Sequence, residues 1–341
     1  MNKNEKHVLK IFLFVAALFI FCNTFNGFAT AQELNNLKIG GRILNDWAWM
    51  SPGDNVKQAV GDFTDGTDFR QIWFNTTGSI CDNRDFIVQL DFSGGAVKLK
   101  NVYATYTGLP VTLRAGHIRQ PFSLESITSL RFITFMERAL PNLFSPGWNN
   151  GIQFSSSTFE SRVNWTAGVF ANTANDGYGS TEEGYNISGR VFGMPYYERN
   201  GAKLLHLGFS ITRMITDGAA SYDQTPEINL APQMVGTGSF ACESMMLYNG
   251  ESALVYGPYS VQAEVFSTRI SNDTLDNPAF FSYYAQASWF LTGENRVYKS
   301  GSFTNVIPLR SLGKGGYGAV EAAVRYSYLD LDSGAIAGGR L

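Results

Sequence analysis

Val320-Glu-Ala-Ala-Val-Arg-Tyr-Ser-Tyr328 decides the fold. Val320, Ala322, Val324, Tyr326 and Tyr328 take every second position, and Glu321, Ala323, Arg325 and Ser327 take the rest. Successive side chains of a strand point to opposite faces, so this is a strand with one apolar and one polar face. The pattern recurs along the chain. Val261, Ala263 and Val265 alternate with Ser260, Gln262 and Glu264, and Leu205, Leu207, Phe209 and Ile211 with His206, Gly208, Ser210 and Thr212. Val163-Asn-Trp-Thr-Ala-Gly-Val169 and Phe86-Ile-Val-Gln-Leu-Asp-Phe92 repeat it.

Worked outward, the pattern predicts about fourteen strands, near 42–49, 69–79, 84–93, 96–107, 110–117, 148–157, 161–171, 184–194, 203–214, 235–247, 250–257, 258–269, 280–291 and 315–329. Gly94-Gly95 and Asn249-Gly250 read as tight hairpin turns. Several segments reach the ~9–11 residues of a membrane strand. Periodicity alone fits a soluble sandwich as well as a barrel.

The N-terminus favours the barrel. Lys3, Lys6 and Lys10 precede the uncharged run Ile11–Phe21, and Ala29-Thr-Ala31 offers a cleavage site. That is the plan of a secretory leader, read here as residues 1–31 and cleaved after Ala31. Ile11–Phe21 is too short for the ~20 residues of a membrane helix. Residues 32–341 are then the exported domain, and strands are the means left for spanning a bilayer. Cys81 and Cys242 have no framework spacing and read as free thiols.

The formal net charge is −3, and it becomes more negative once the lysine-rich leader is removed. No nucleic-acid partner follows from that balance. Aromatic residues make up 14% of the chain and glycines number 35, as interfacial girdles and tight turns require. A secreted soluble β-protein shares both traits.

Alternation stops at 118–147, which reads as one long folded loop of the kind that carries function. Arg114, Arg119, Arg131 and Arg138 outnumber Glu125 and Glu137 in and beside it, and Lys98 and Lys100 share a strand face just before it. If the loop folds inward and narrows a lumen, these six basic residues are the candidates that attract anions. Glu125 and Glu137 would then orient the arginines, while Pro121 and Pro141 fix the bends. A solvated surface loop is the plainer alternative.

Several motifs lead nowhere. Gly313-Lys-Gly-Gly-Tyr-Gly318 matches a dinucleotide fingerprint but precedes a strand, so it reads as a hairpin loop. His117 and His206 lack metal-ligand neighbours, and His206 reads as an interior strand residue. Glu264 and Glu321 read as partners of interior arginines such as Arg325 or Arg269. No catalytic constellation, metal site or cofactor site is predicted.

Pieces throughout the exported domain resemble the phosphate-selective porin O and P family. They are Gly116 with Pro121-Phe-Ser-Leu-Glu125, Thr134-Phe-Met-Glu-Arg138 with Pro141, Pro146-Gly147 before Gly151, and Pro226-Glu-Ile-Asn-Leu-Ala-Pro232 with Thr237-Gly238. Tyr256-Gly-Pro258, Trp289-Phe-Leu-Thr-Gly-Glu294 with Tyr298, and Ala319–Leu331 complete the set. The resemblance implies an all-β transmembrane antiparallel barrel of sixteen strands in the outer membrane of a Gram-negative bacterium. It also implies a homotrimer in lipid that passes small solutes, possibly anions such as phosphate, by diffusion. The arginine ladder described for phosphate-selective members has no counterpart here, since no Arg-x-Arg-x-Arg run occurs. Asp332–Leu341 reads as a loop, so the chain is expected to stop short of two further strands. The competing functions are a non-conducting surface anchor or binding barrel and an exported soluble glycan-binding protein.

Overall fold

The period-two segments pair with their sequence neighbours into one antiparallel sheet of fourteen strands. The computed structural model describes residues 35–61, 63–179, 184–272 and 277–341. The expected leader, 1–31, lies outside them. In chain order the strands are β1 (Asn35–Ala48), β2 (Gly66–Cys81), β3 (Arg84–Asp91), β4 (Lys98–Tyr106), β5 (Thr112–Arg119), β6 (Trp148–Thr158), β7 (Val163–Ala171), β8 (Tyr185–Glu198) and β9 (Lys203–Ala220). Then follow β10 (Asp223–Gln224), β11 (Val235–Gly236), β12 (Phe240–Tyr256), β13 (Tyr259–Ser271), β14 (Ala279–Phe290), β15 (Val297–Lys299), β16 (Ser302–Thr304), β17 (Glu321–Ser333) and β18 (Ile336–Arg340). β10–β11 and β15–β16 form two small hairpins of their own, and the other strands make the large sheet in sequence order. Short turns such as Gly257-Pro258 alternate with longer connections such as 120–147 and 221–239, the rhythm of an up-and-down membrane barrel, while the long connection 291–320 lies at the end of the short turns.

Two strand readings are corrected. Asn249-Gly250 is not a turn. β12 runs straight through it, with Asn249 opposite Phe266 and Gly250 opposite Val265 on β13. The Asn249 amide is buried and donates to Glu264 Oε2 (3.0 Å), an interior hydrogen bond that replaces the turn geometry this dipeptide favours. Within Asp332–Leu341, read as a loop, Ile336–Arg340 pairs back on β17 through a turn at Gly334 (φ 57°). One merger and one addition leave the predicted count unchanged. The Gly94-Gly95 turn forms with both glycines at positive φ, 75° and 80°. Cys81 and Cys242 are free.

The sheet is inside-out compared with a water-soluble protein. On β13, Val261 and Val265 are 46% and 42% exposed, while Gln262 and Glu264 between them are 2% exposed. Val324 and Tyr326 on β17 are exposed, while the Arg325 side chain between them is 4% exposed. Hydrophobic side chains turned outward suit hydrocarbon, and polar ones turned inward suit a lumen. Tyr256, Tyr259 and Trp289 crowd the outer face beside the Gly257-Pro258 turn, with Tyr259 stacked on Trp289 at 5.8 Å. That is where an interfacial girdle belongs.

The sheet curls far enough to bring its two ends to one residue. The Glu137 carboxylate is clasped by Arg70 of β2, with Oε2 2.6 Å from one guanidinium nitrogen, and the Glu137 carbonyl accepts from Arg325 of β17 (2.9 Å). Residue 137 belongs to the segment between β5 and β6, so that segment lies on the concave side.

Candidate functional site

Residues 120–147 hold no long element. They make a one-turn helix at Leu124–Ile127 and two short 3-10 turns, Leu130–Phe132 and Leu140–Phe144. Ser123 enters the helix at φ 62°, and its hydroxyl accepts from the Ser126 amide (3.1 Å). The Glu264 carboxylate of β13 reaches across and accepts from the amides of Leu124 (3.1 Å) and Glu125 (2.8 Å). A carboxylate at unpaired helix amides makes strong charge-assisted bonds, so β13 holds this end of the segment.

One face of the segment is apolar and packs on one wall. Phe122, Leu140 and Phe144 are buried with Phe266 and Ile270 of β13, Phe280 and Tyr284 of β14, and Leu329 of β17. Phe144 lies 6.2 Å from Phe280 in stacked geometry and 5.1 Å from Tyr222 edge-on. The opposite face is basic and looks toward β1–β6. Between them lies a cavity of about 200 Å³ bordered by Arg42, Arg119, Arg131 and Arg138, with no acidic residue in its lining. Gln71, Trp73 and Asn75 of β2, Gln89 of β3, Asn101 of β4 and Trp148 of β6 supply its wall.

The arginines are held against rings and carbonyls. Arg42 lies 3.6 Å over Trp73 and donates to Ser129 Oγ (2.8 Å). Arg119 lies 4.3 Å over Trp148, and the two indoles meet edge-on at 6.4 Å. Such contacts fix a cation with its charge uncancelled, for about 0.5–2 kcal/mol each. Trp148 in turn donates to Asn101 Oδ1 (3.2 Å).

The predicted residues divide. Arg119 and Arg131 border the cavity, and Arg131 is exposed. Arg138 borders it too, but its guanidinium donates to the carbonyls of Glu125 (3.2 Å), Ser126 (3.3 Å) and Thr128 (2.8 Å), which ties the segment together. Lys100 sits 4.8 Å over Trp148 and 3.7 Å from Asp91, so its charge is shared. Lys98 lies opposite Asp91 in the β3–β4 register. Arg114 lies over Tyr103 at 5.5 Å and does not border the cavity. Pro121 and Pro141 are buried, with Pro141 near the start of its 3-10 turn.

The acidic partners differ from those expected. Glu137 pairs with Arg70, and Glu125 Oε1 lies 3.5 Å from Arg325, so neither carboxylate pairs with Arg131 or Arg138. Glu125 Oε2 accepts from the Ala139 amide (2.9 Å). Burial, with Glu264 close by, pushes the Glu125 carboxyl up to about 7. Glu264 takes no arginine either. Its further partners are Asn249 and the Tyr284 hydroxyl (2.6 Å). Arg42, Arg70 and Arg325 are the functional positions the sequence reading did not assign to the site. Each stands singly on its strand, and only the curl of the sheet brings them together.

Two other segments share the interior. Glu227, between β10 and β11, pairs with Arg325 and accepts from the Leu140 amide (3.0 Å), while Asn229 donates to Asp68 of β2 (3.1 Å). The β15–β16 hairpin is pinned by Tyr298 and His206 (2.6 Å), and His206 lies 3.0 Å from Glu251. His206 is therefore the interior residue its strand position suggested.

Comparison with known proteins agrees with this arrangement. A family model described as "Phosphate-selective porin O and P" matches residues 37–341. An uncharacterized protein of Caulobacter vibrioides is 31% identical across 89% of this chain and 63% of its own length. Porin O of Pseudomonas aeruginosa is 27% identical across 89% of this chain and 75% of its own. The chain thus spans under two thirds of the first of these relatives. The solved anion-selective porin from Comamonas acidovorans superimposes with a TM-score of 0.55 at 15% identity, covering 86% of this chain and 79% of that one. At that identity the likeness is one of fold.

Proposed function

Because the chain belongs to the phosphate-selective porin O and P family, we propose that it is an outer-membrane channel passing small anions by diffusion, with residues 118–147 as its constriction. The observation that carries this is the cavity between the inward segment and β1–β6, bordered by four arginines and no acid. Fixed positive charge in a narrow throat lowers the barrier for anions and raises it for cations. Arg42, Arg119 and Arg131 supply that field, and Arg138 is a structural tie that adds to it. Lys100 adds to it from over Trp148 with its charge shared by Asp91, while Lys98 and Arg114 do not border the cavity. Phosphate as the solute rests on the family description and on this basic lining. A homotrimer embedded in outer-membrane lipid and a cleaved leader at 1–31 complete the proposal.

The test is the Arg42→Gln/Arg131→Gln double variant in a planar bilayer under a KCl gradient. Loss of two unneutralised charges shifts the reversal potential toward zero, cutting the chloride-to-potassium permeability ratio at least about threefold. An unchanged reversal potential would remove both arginines from the mechanism.

A further inference from the structure

The cavity between the inward segment and β1–β6 holds more than positive charge. Five buried polar atoms on residues that border it have no hydrogen-bond partner among the described residues: Arg42 Nε, Arg119 Nε, Trp73 Nε1, Gln71 Oε1 and Asn75 Oδ1. The first three are donors. The last two belong to amides, and whichever way an amide is turned, one end donates and the other accepts. Buried polar groups are normally satisfied, and a cluster of unsatisfied ones around one space fits a ligand that pairs with them.

A bare inorganic anion matches the three donors but not the carbonyl ends of the two amides. Its oxygens accept from the guanidinium groups, but it brings few or no O–H donors for Gln71 and Asn75. Size points the same way. A cavity of about 150 Å³ holds the six carbons of benzene, so about 200 Å³ takes roughly eight non-hydrogen atoms, against five in inorganic phosphate, and the cavity is open, so a larger solute extends beyond it. Trp73 and Trp148 add flat apolar surface, though their faces are already engaged by Arg42 and Arg119.

We propose that this cavity selects a small anion that also carries several hydroxyl groups, a sugar phosphate or sugar acid, over inorganic phosphate. The anionic group meets Arg42, Arg119 and Arg131, and the hydroxyls pair with Gln71 and Asn75. The inference rests on the channel reading above and names the class of solute held at its constriction.

Current block in the full-length protein tests it, with glucose 6-phosphate, inorganic phosphate and glucose added in turn to KCl in a planar bilayer. Glucose 6-phosphate is expected to halve the current at a concentration about tenfold below phosphate, the discrimination that two additional satisfied hydrogen bonds provide. Glucose, lacking the charge, requires far more than either. In Gln71→Leu/Asn75→Leu the ratio between the two phosphates falls below about threefold, and a ratio taken within one channel cancels any change in conductance. Equal block by the two phosphates, or a ratio unmoved in the variant, overturns the inference and leaves the channel reading standing. Absent steps overturn the channel reading instead. In that case, or if the variant does not assemble, tryptophan fluorescence of the wild-type protein in detergent decides. Trp73 and Trp148 border the cavity, so a saturable change at lower glucose 6-phosphate than phosphate supports the inference. Equal midpoints, or no change with either, defeat it.

Discussion

Glu125 carries the sharpest consequence at the residue scale. Its carboxyl is pushed up to about 7 by burial and by Glu264, and it belongs to the same segment as Arg138, which donates to its carbonyl. As pH falls through about 7, the interior loses one negative charge and anion preference rises. Reversal potentials measured between about pH 5.5 and 8.5 should show that step, and Glu125→Gln should abolish it. The stability linkage has the same sign. A carboxyl raised above its ordinary range contributes stability that is full below that range and lost as pH rises through the raised value. The arginines show what the sequence could convey. Arg119 and Arg131 were legible because they stand in a locally basic stretch. Arg325 was legible as an interior residue because it falls on the polar face of its strand, but nothing local named Glu125 and Glu227 as its partners. Arg42 and Arg70 lie far from the loop in sequence, so their place in the site depends on curvature that no local pattern encodes.

Among the elements, the inward segment stands or falls by its apolar anchor. Phe144 is 2% exposed and wedged among Phe280 and Tyr222. Phe144→Ala should cost roughly 3–5 kcal/mol of packing, enough to release that part of the segment from the wall. The expected readout is larger and noisier single-channel conductance with lower ion selectivity, at unchanged strand content by circular dichroism. Quiet, wild-type steps from this variant would deny the segment its role as the constriction. Strands were the most legible elements, since alternation is a two-residue signal that survives any environment. The loop's extent was legible from the loss of that signal, but its course was not, because it is held by side chains such as Glu264 and Thr128 rather than by its own ladder. Asn249-Gly250 misled because turn propensity is local, while the pairing of β12 with both β9 and β13 is not.

The whole molecule is defined by its inverted surface. Outward Val261, Val265 and Val324 against inward Gln262, Glu264 and Arg325 have no stable arrangement in water and an evident one in a bilayer. Val261→Arg should therefore cost about 2–4 kcal/mol if the site lies near the bilayer midplane, seen as a lower unfolding midpoint in lipid vesicles. A soluble sheet would tolerate that exposed substitution with little change. The fold class was readable from the chain because the same alternation that builds strands also sorts lipid from lumen. Which face met which solvent became visible only with the exposures. The proposed anion channel depends on the arginine-lined gap between loop and wall. Single-channel current of the full-length protein under a KCl gradient tests it most directly. Discrete steps whose reversal potential has the sign of anion selectivity are expected; cation-selective steps, or no steps from verified folded barrel, would rule the anion channel out.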